Sequence, residues 1–168
     1  GGESVICYEL SPQESLEGRS RLADGFVACT YRDRETLTAL RALADVLCGD
    51  NQAPLKRLLL ESGLAQDVRL ELHDGIQQPW VTLEARNIDG SRAGEVSAAL
   101  RSELERLARE GLDRRRILAV LDNLEFEARQ RDYDRMPQGL ILGFQVLESW
   151  LYGGEPGANL SVGSLFDD

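Results

Sequence analysis

The chain has 168 residues, 42% of them hydrophobic and 29% charged, with a formal net charge of -10. That is globular composition at one-domain length, with enough apolar side chains for a core. The acidic balance argues against nucleic acid and anionic membrane as partners, because such a surface repels phosphate.

In chain order, Val5 to Leu10 reads as a strand, Ser11 to Asp24 as a polar loop, and Phe26 to Tyr31 as a second strand rich in β-formers. From Asp33 the period changes. Leu37, Leu40, Ala44 and Leu47 recur at helical spacing, with Asp33 as N-cap and Gly49 as C-cap. A second helix starts near Pro54 and ends at Gly63. Val68, Leu70 and Leu72 alternate with Arg69, Glu71 and His73, a half-buried strand. Asp74-Gly75 is a turn signal, and Trp80 to Arg86 is the next strand, closed by Asp89-Gly90. Three helices follow. Ala93, Val96, Leu100, Leu104 and Leu107 face the first inward up to Gly111, while Arg101, Glu105 and Arg109 make its wet side. Asp113 caps the second, with Ile117, Val120, Leu121, Leu124 and Ala128 apolar. After a polar break at Arg131 to Met136, Pro137 opens the third, striped by Leu140, Phe144, Leu147 and Leu151 and ended by Gly153-Gly154. The order β-β-α-α-β-β-α-α-α predicts an α+β fold, an antiparallel sheet with helices packed on one face. No Gly-rich phosphate loop follows the first strand, as a doubly wound parallel sheet would usually require.

The chemistry on offer is sparse. One histidine excludes a multi-histidine zinc site within this chain, and Cys7, Cys29 and Cys48 are too few and too scattered for a cysteine-rich one. The odd, unpaired cysteines read as small buried hydrophobes of a reducing, cytosol-like compartment. His73, beside Arg69 and Glu71, reads as a solvent-facing residue rather than a ligand or base. Glu125 and Glu127 lie two positions apart on a helix and do not share a face, so a glycosidase-type acid pair is unsupported. No stretch approaches the roughly 20 apolar residues of a membrane span. Gly1-Gly2-Glu3 is not a signal peptide and suggests a piece cut from something larger. Trp80, on a polar strand face, and Trp150 and Tyr152, at a helix end, are either edge-of-core aromatics or markers of an interface or chamber surface.

Two segments carry a resemblance. The first runs Leu43-Ala44-Asp45-Val46-Leu47-Cys48-Gly49-Asp50-Asn51-Gln52-Ala53-Pro54-Leu55 and on through Glu61-Ser62-Gly63-Leu64-Ala65-Gln66-Asp67-Val68. The second joins Asn123-Leu124-Glu125-Phe126-Glu127-Ala128-Arg129, Pro137-Gln138-Gly139-Leu140 and Ser149-Trp150-Leu151-Tyr152-Gly153-Gly154-Glu155-Pro156. Their order and spacing resemble the pitrilysin/insulinase-type zinc metallopeptidases, in the presequence-protease branch. The resemblance covers about Val5 to Pro156 and points to the second, non-catalytic domain. Ala53 stands where the family usually has a small hydroxyl residue, and Gln130 where an acid is frequent. The inverted zinc motif His-x-x-Glu-His is absent, so no catalytic, metal or cofactor residue transfers to this chain.

The resemblance implies a metallopeptidase LuxS/MPP-like domain over residues 3–156, with 157–168 starting the linker to the second half of the enzyme. It implies Zn2+ in the intact protein and none in this segment. The domain would wall part of a closed chamber for unfolded peptides and pack on the catalytic domain of a bacterial, cytoplasmic peptidase. The segment alone would be inactive. The alternative is a free-standing inactive scaffold or assembly module of the same fold. Cut from its neighbours, the domain would expose apolar surface and self-associate weakly.

Overall fold

The structure, a computed structural model, describes residues 2–13, 15, 17–130, 137–157 and 160. The expected break at 131–136 and most of the expected linker (158, 159 and 161–168) lie outside the described residues. The observed order is β1 (Ser20–Val27), α1 (Arg34–Cys48), α2 (Pro54–Glu61), β2 (Asp67–His73), β3 (Trp80–Ile88), α3 (Ala93–Glu110), α4 (Arg114–Gln130) and α5 (Gln138–Trp150). A single 3-10 turn at Gly90–Arg92 leads into α3.

The strands form one antiparallel sheet in the order β1-β3-β2. The α+β class therefore holds, with one strand fewer than the sequence suggests. Val5 to Leu10 is no strand: it has the side chains for one but no partner, and Val5 and Ile6 stand 89% and 83% exposed. The strand expected at Phe26 to Tyr31 instead begins at Ser20, inside the expected loop. Arg21 and Asp24 are poor strand residues by composition, yet pairing with β3 along the whole strand overrides that preference.

Elsewhere local chemistry sets the boundaries. The Asp33 side chain accepts from the Thr36 amide at 3.1 Å and opens α1. Pro54 supplies the first turn of α2 without losing a bond, since that amide has no helical partner. Gly63 and Gly111 follow α2 and α3 at φ 63° and 85°, backbone that side-chain-bearing residues resist. Asp113 accepts from the Arg115 amide at 2.9 Å and starts α4.

The core lies between the helices and one face of β2 and β3. Leu47 and Cys48 of α1, Leu55 and Leu59 of α2, and Val96 and Leu100 of α3 pack on Val68, Leu83, Ala85 and Ile88. On β3 the alternation is clean: Val81, Leu83 and Ala85 are buried, while Thr82, Glu84 and Arg86 are partly wet. α4 is pinned to α1 by Arg116. Its guanidinium donates to the Val46 carbonyl at 2.7 Å and reaches Asp50 Oδ2 at 3.0 Å.

Candidate functional site

The sheet face turned away from the core is set by register. Asp67, Arg69, Glu71 and His73 of β2 stand opposite Arg86, Glu84, Thr82 and Trp80 of β3. Arg21, Ala23, Gly25 and Val27 of β1 continue the same rows. One end of this face is a charge network. Arg86 bridges Glu84 and lies 3.6 Å from Glu71, and Arg21 approaches Glu84 at 3.5 Å. The charges there offset one another, while Thr82 Oγ1, opposite Glu71, is buried without a hydrogen-bond partner among the described residues.

The other end is aromatic. His73 stacks on Trp80 with ring centroids 4.0 Å apart and planes 14° apart. Cross-strand opposition brings the two rings together, and Val27 flanks Trp80 on the far side. Gly25 leaves room under the indole, where even a Cβ would lie 3.8 Å from the ring. The ring packed against His73 is thus an indole. Trp80 remains 38% exposed.

Trp150 and Tyr152 come to the same end of the sheet. Tyr31 bonds through its amide to the Gln77 carbonyl of the β2–β3 connection, and its ring tilts against Tyr152 at 5.3 Å. The Tyr31 hydroxyl donates to the Tyr152 carbonyl. One turn earlier, Glu148 lies beside Gly75, next to the Arg41–Asp74 ion pair. Burial and then the Asp74 charge push the Glu148 carboxyl above its ordinary range, while Arg41 works against them. Tyr152 is half-buried, whereas Trp150 is 62% exposed. Leu140, Phe144, Leu147 and Leu151 form an exposed stripe along α5, and Leu118 and Phe126 of α4 are exposed as well.

A cleft of about 720 Å³ opens between the end of α1 and the start of α4, lined by Asp45, Asp50, Asp113, Arg116 and Glu127 among others. Asp45 is pushed upward first by burial and then by Glu127, with Arg116 opposing. Among the described residues, no group of three or more His, Cys, Asp or Glu side chains could hold a metal ion.

The cysteines divide three ways. Cys48 is buried, and desolvation pushes its thiol up to about 12, so it is inert at neutral pH. Cys29 is half-buried, whereas Cys7 is exposed, against the expectation of a buried thiol. The reason is the missing strand, which leaves Cys7 with nothing to pack beneath. The sequence also gave no sign that Arg116 would bridge to α1, because the contact joins residues far apart in the chain. The His73–Trp80 stack follows from a hairpin register that alternation alone does not fix.

The sequence pattern of the family described as the Peptidase M16 inactive domain matches residues 10–124. Among curated proteins, HypA of Clostridium perfringens is 30% identical over 158 residues, covering 94% of this chain and 16% of that protein. Presequence protease 1 of Arabidopsis thaliana, chloroplastic/mitochondrial, is 30% identical over 125 residues, covering 74% of this chain and 12% of that protein. The chain thus spans only a small part of these relatives. Among solved structures, the inactive peptidase domain of a candidate zinc protease from Bordetella parapertussis aligns with TM-score 0.71 at 15% identity, covering 88% of this chain and 78% of that one. A candidate zinc protease from Bordetella pertussis aligns with TM-score 0.65 at 15% identity, covering 88% of this chain and 74% of that one.

Proposed function

Because the chain belongs to the M16 peptidase family as an inactive domain, we propose that it walls part of a closed peptide chamber and packs on the catalytic domain of the same polypeptide. The intact protein would be a zinc metallopeptidase of the presequence-protease type acting on unfolded peptides. The residues present do not fit the zinc ion that the family implies. His73 is stacked on Trp80, and no cluster of donors converges among the described residues. Metal and hydrolysis would belong to another part of the enzyme.

The observation that carries the packing role is the α5 stripe. Leu140, Phe144, Leu147 and Leu151 repeat at helical spacing and stay exposed. A contiguous apolar stripe is costly in water and favours burial against protein. The sheet face turned away from the core has the character of a wetted wall, with paired charges and the Trp80–His73 platform as its apolar foothold. On this reading Trp150 and Tyr152 sit at the domain contact and Trp80 on the chamber side. The domain would span 3–156, with the linker to the second half beginning at 157, in a bacterial, cytoplasmic enzyme.

Hydroxyl-radical footprinting of the full-length protein tests the assignment. Phe144 and Trp150 should be shielded relative to the isolated 168-residue chain. Trp80 should stay reactive until an uncleavable peptide is added. Equal labelling of Phe144 and Trp150 in both proteins would refute the packing role. Indifference of Trp80 to peptide would refute its place on the chamber wall.

A further inference from the structure

The outer face of α5 has a definite shape. Leu140, Gly143, Phe144, Leu147, Trp150 and Leu151 recur three and four residues apart, on one side of the helix and its closing turn. All six are exposed, while Ile141, Leu142 and Val146, on the other side, are half-buried. Glu148 is the one charged residue of α5, and it stands beside Gly75 rather than on this face. Leu140, Gly143, Leu147 and Trp150 are spaced three, four and three apart. That is the seam of one helix lying along another at a shallow angle.

Two glycines hollow the face. A Cβ added at Gly139 or Gly143 would meet nothing within 4 Å. Neither has a positive φ, and glycine inside a helix costs stability relative to alanine. So neither a turn nor a close contact among the described residues accounts for them. A second backbone lying close against α5 would, because the distance between packed helices is set by the side chains at the contact.

We infer that α5 docks lengthwise on an apolar helix of the catalytic domain, and that a large side chain of that helix fills the hollow at Gly143. This rests on the packing role proposed above and names the kind of element that covers α5. The chain matches only 16% of its Clostridium perfringens relative, so a polypeptide of that length has ample sequence outside these residues to supply the helix. A sheet is the poorer partner, since a flat layer would leave the hollow empty, and packed interiors leave few such voids. A second copy is also the poorer partner. Each copy carries a net charge of -10, and that repulsion opposes a tight pair.

Gly143→Leu should act with opposite sign in the two proteins. In the 168-residue chain the new side chain enters open space and removes a glycine from a helix, so the α5 amides should exchange about 5-fold more slowly. In the full-length protein it should overfill the contact, speed exchange of the α5 amides at least about 10-fold and open Trp150 to hydroxyl-radical labelling. Gly143→Ala should shift both in the same directions by less. Slower exchange in both proteins would overturn the inference, yet would leave the packing role standing if wild-type Trp150 is shielded. Photo-crosslinking side chains in place of Leu140 and of Leu151 in the full-length protein should attach to one segment at points about 11 residues apart, as on a helix running alongside. Points about five residues apart would make the partner a strand, and attachment to a second copy would make it a dimer contact; either would overturn the inference.

Discussion

Replacing Arg116 by alanine removes the contact that ties the start of α4 to the end of α1. The Arg116 side chain is 20% exposed, and its Nε donates to the Val46 carbonyl at 2.7 Å. A hydrogen bond from a charged donor is worth about 1.5–3 kcal/mol. The arm to Asp50 adds about 0–1 kcal/mol, because the Asp50 side chain is 62% exposed and solvent screens the pair. The expected loss is about 2–3 kcal/mol, or about 4–12 °C in Tm for a domain of this size. Urea and thermal unfolding followed by circular dichroism would measure it. Arg116→Lys should recover part of the loss, since a lysine reaches one acceptor but lacks the fork. Hydrogen bonding from Arg116 is also what chiefly holds the Asp50 carboxyl below its ordinary range, so the alanine variant should let it rise in an NMR titration. A loss under about 0.5 kcal/mol would refute the reasoning, since that is the scale of an ordinary surface substitution. An Asp50→Ala variant as damaging as Arg116→Ala would show instead that the ion pair, not the carbonyl contact, holds α4.

Three further outcomes are expected. Alkylation under native conditions should modify Cys7 first and Cys29 more slowly, and reach Cys48 only on unfolding; rapid native labelling of Cys48 would contradict its burial. A Glu148 carboxyl raised by desolvation and by Asp74 favours the folded chain at acid pH, a contribution lost as pH rises through the raised value and kept small because the residue stays exposed to solvent. Glu148→Gln should therefore flatten that loss, read by exchange of the α5 amides against pH, and an unchanged slope would count against it. The isolated chain should self-associate weakly through the α5 stripe. Sedimentation across a concentration series should show this, and Leu140→Ser with Phe144→Ser should abolish it.

Most of the helices and the β2–β3 pair are legible in the sequence because their signals are local. Asp33, Pro54, Gly63, Gly111 and Asp113 each mark a boundary by the bond they make or the backbone they permit. Val68 to His73 and Trp80 to Ile88 show their buried face by alternation. β1 lies earlier in the chain than its composition predicts, because an edge strand answers to its neighbour more than to its own residues. Val5 to Leu10 shows the opposite case, since β-forming side chains without a paired strand make no strand. Trp80 was visible as an aromatic on a polar face, but its stacking on His73 depends on cross-strand register. The ion pairs of α3 likewise settle on Glu103, Arg106 and Glu110, where the sequence pattern had singled out Arg101, Glu105 and Arg109.

Metal analysis and peptide hydrolysis on two preparations test the central claim most directly. The 168-residue chain, purified and dialysed against zinc, should retain no stoichiometric metal and cleave no unfolded peptide. The full-length protein should hold zinc and lose its hydrolysis to a chelator. Stoichiometric zinc on the isolated chain, or chelator-sensitive hydrolysis that disappears in His73→Ala, would contradict the account.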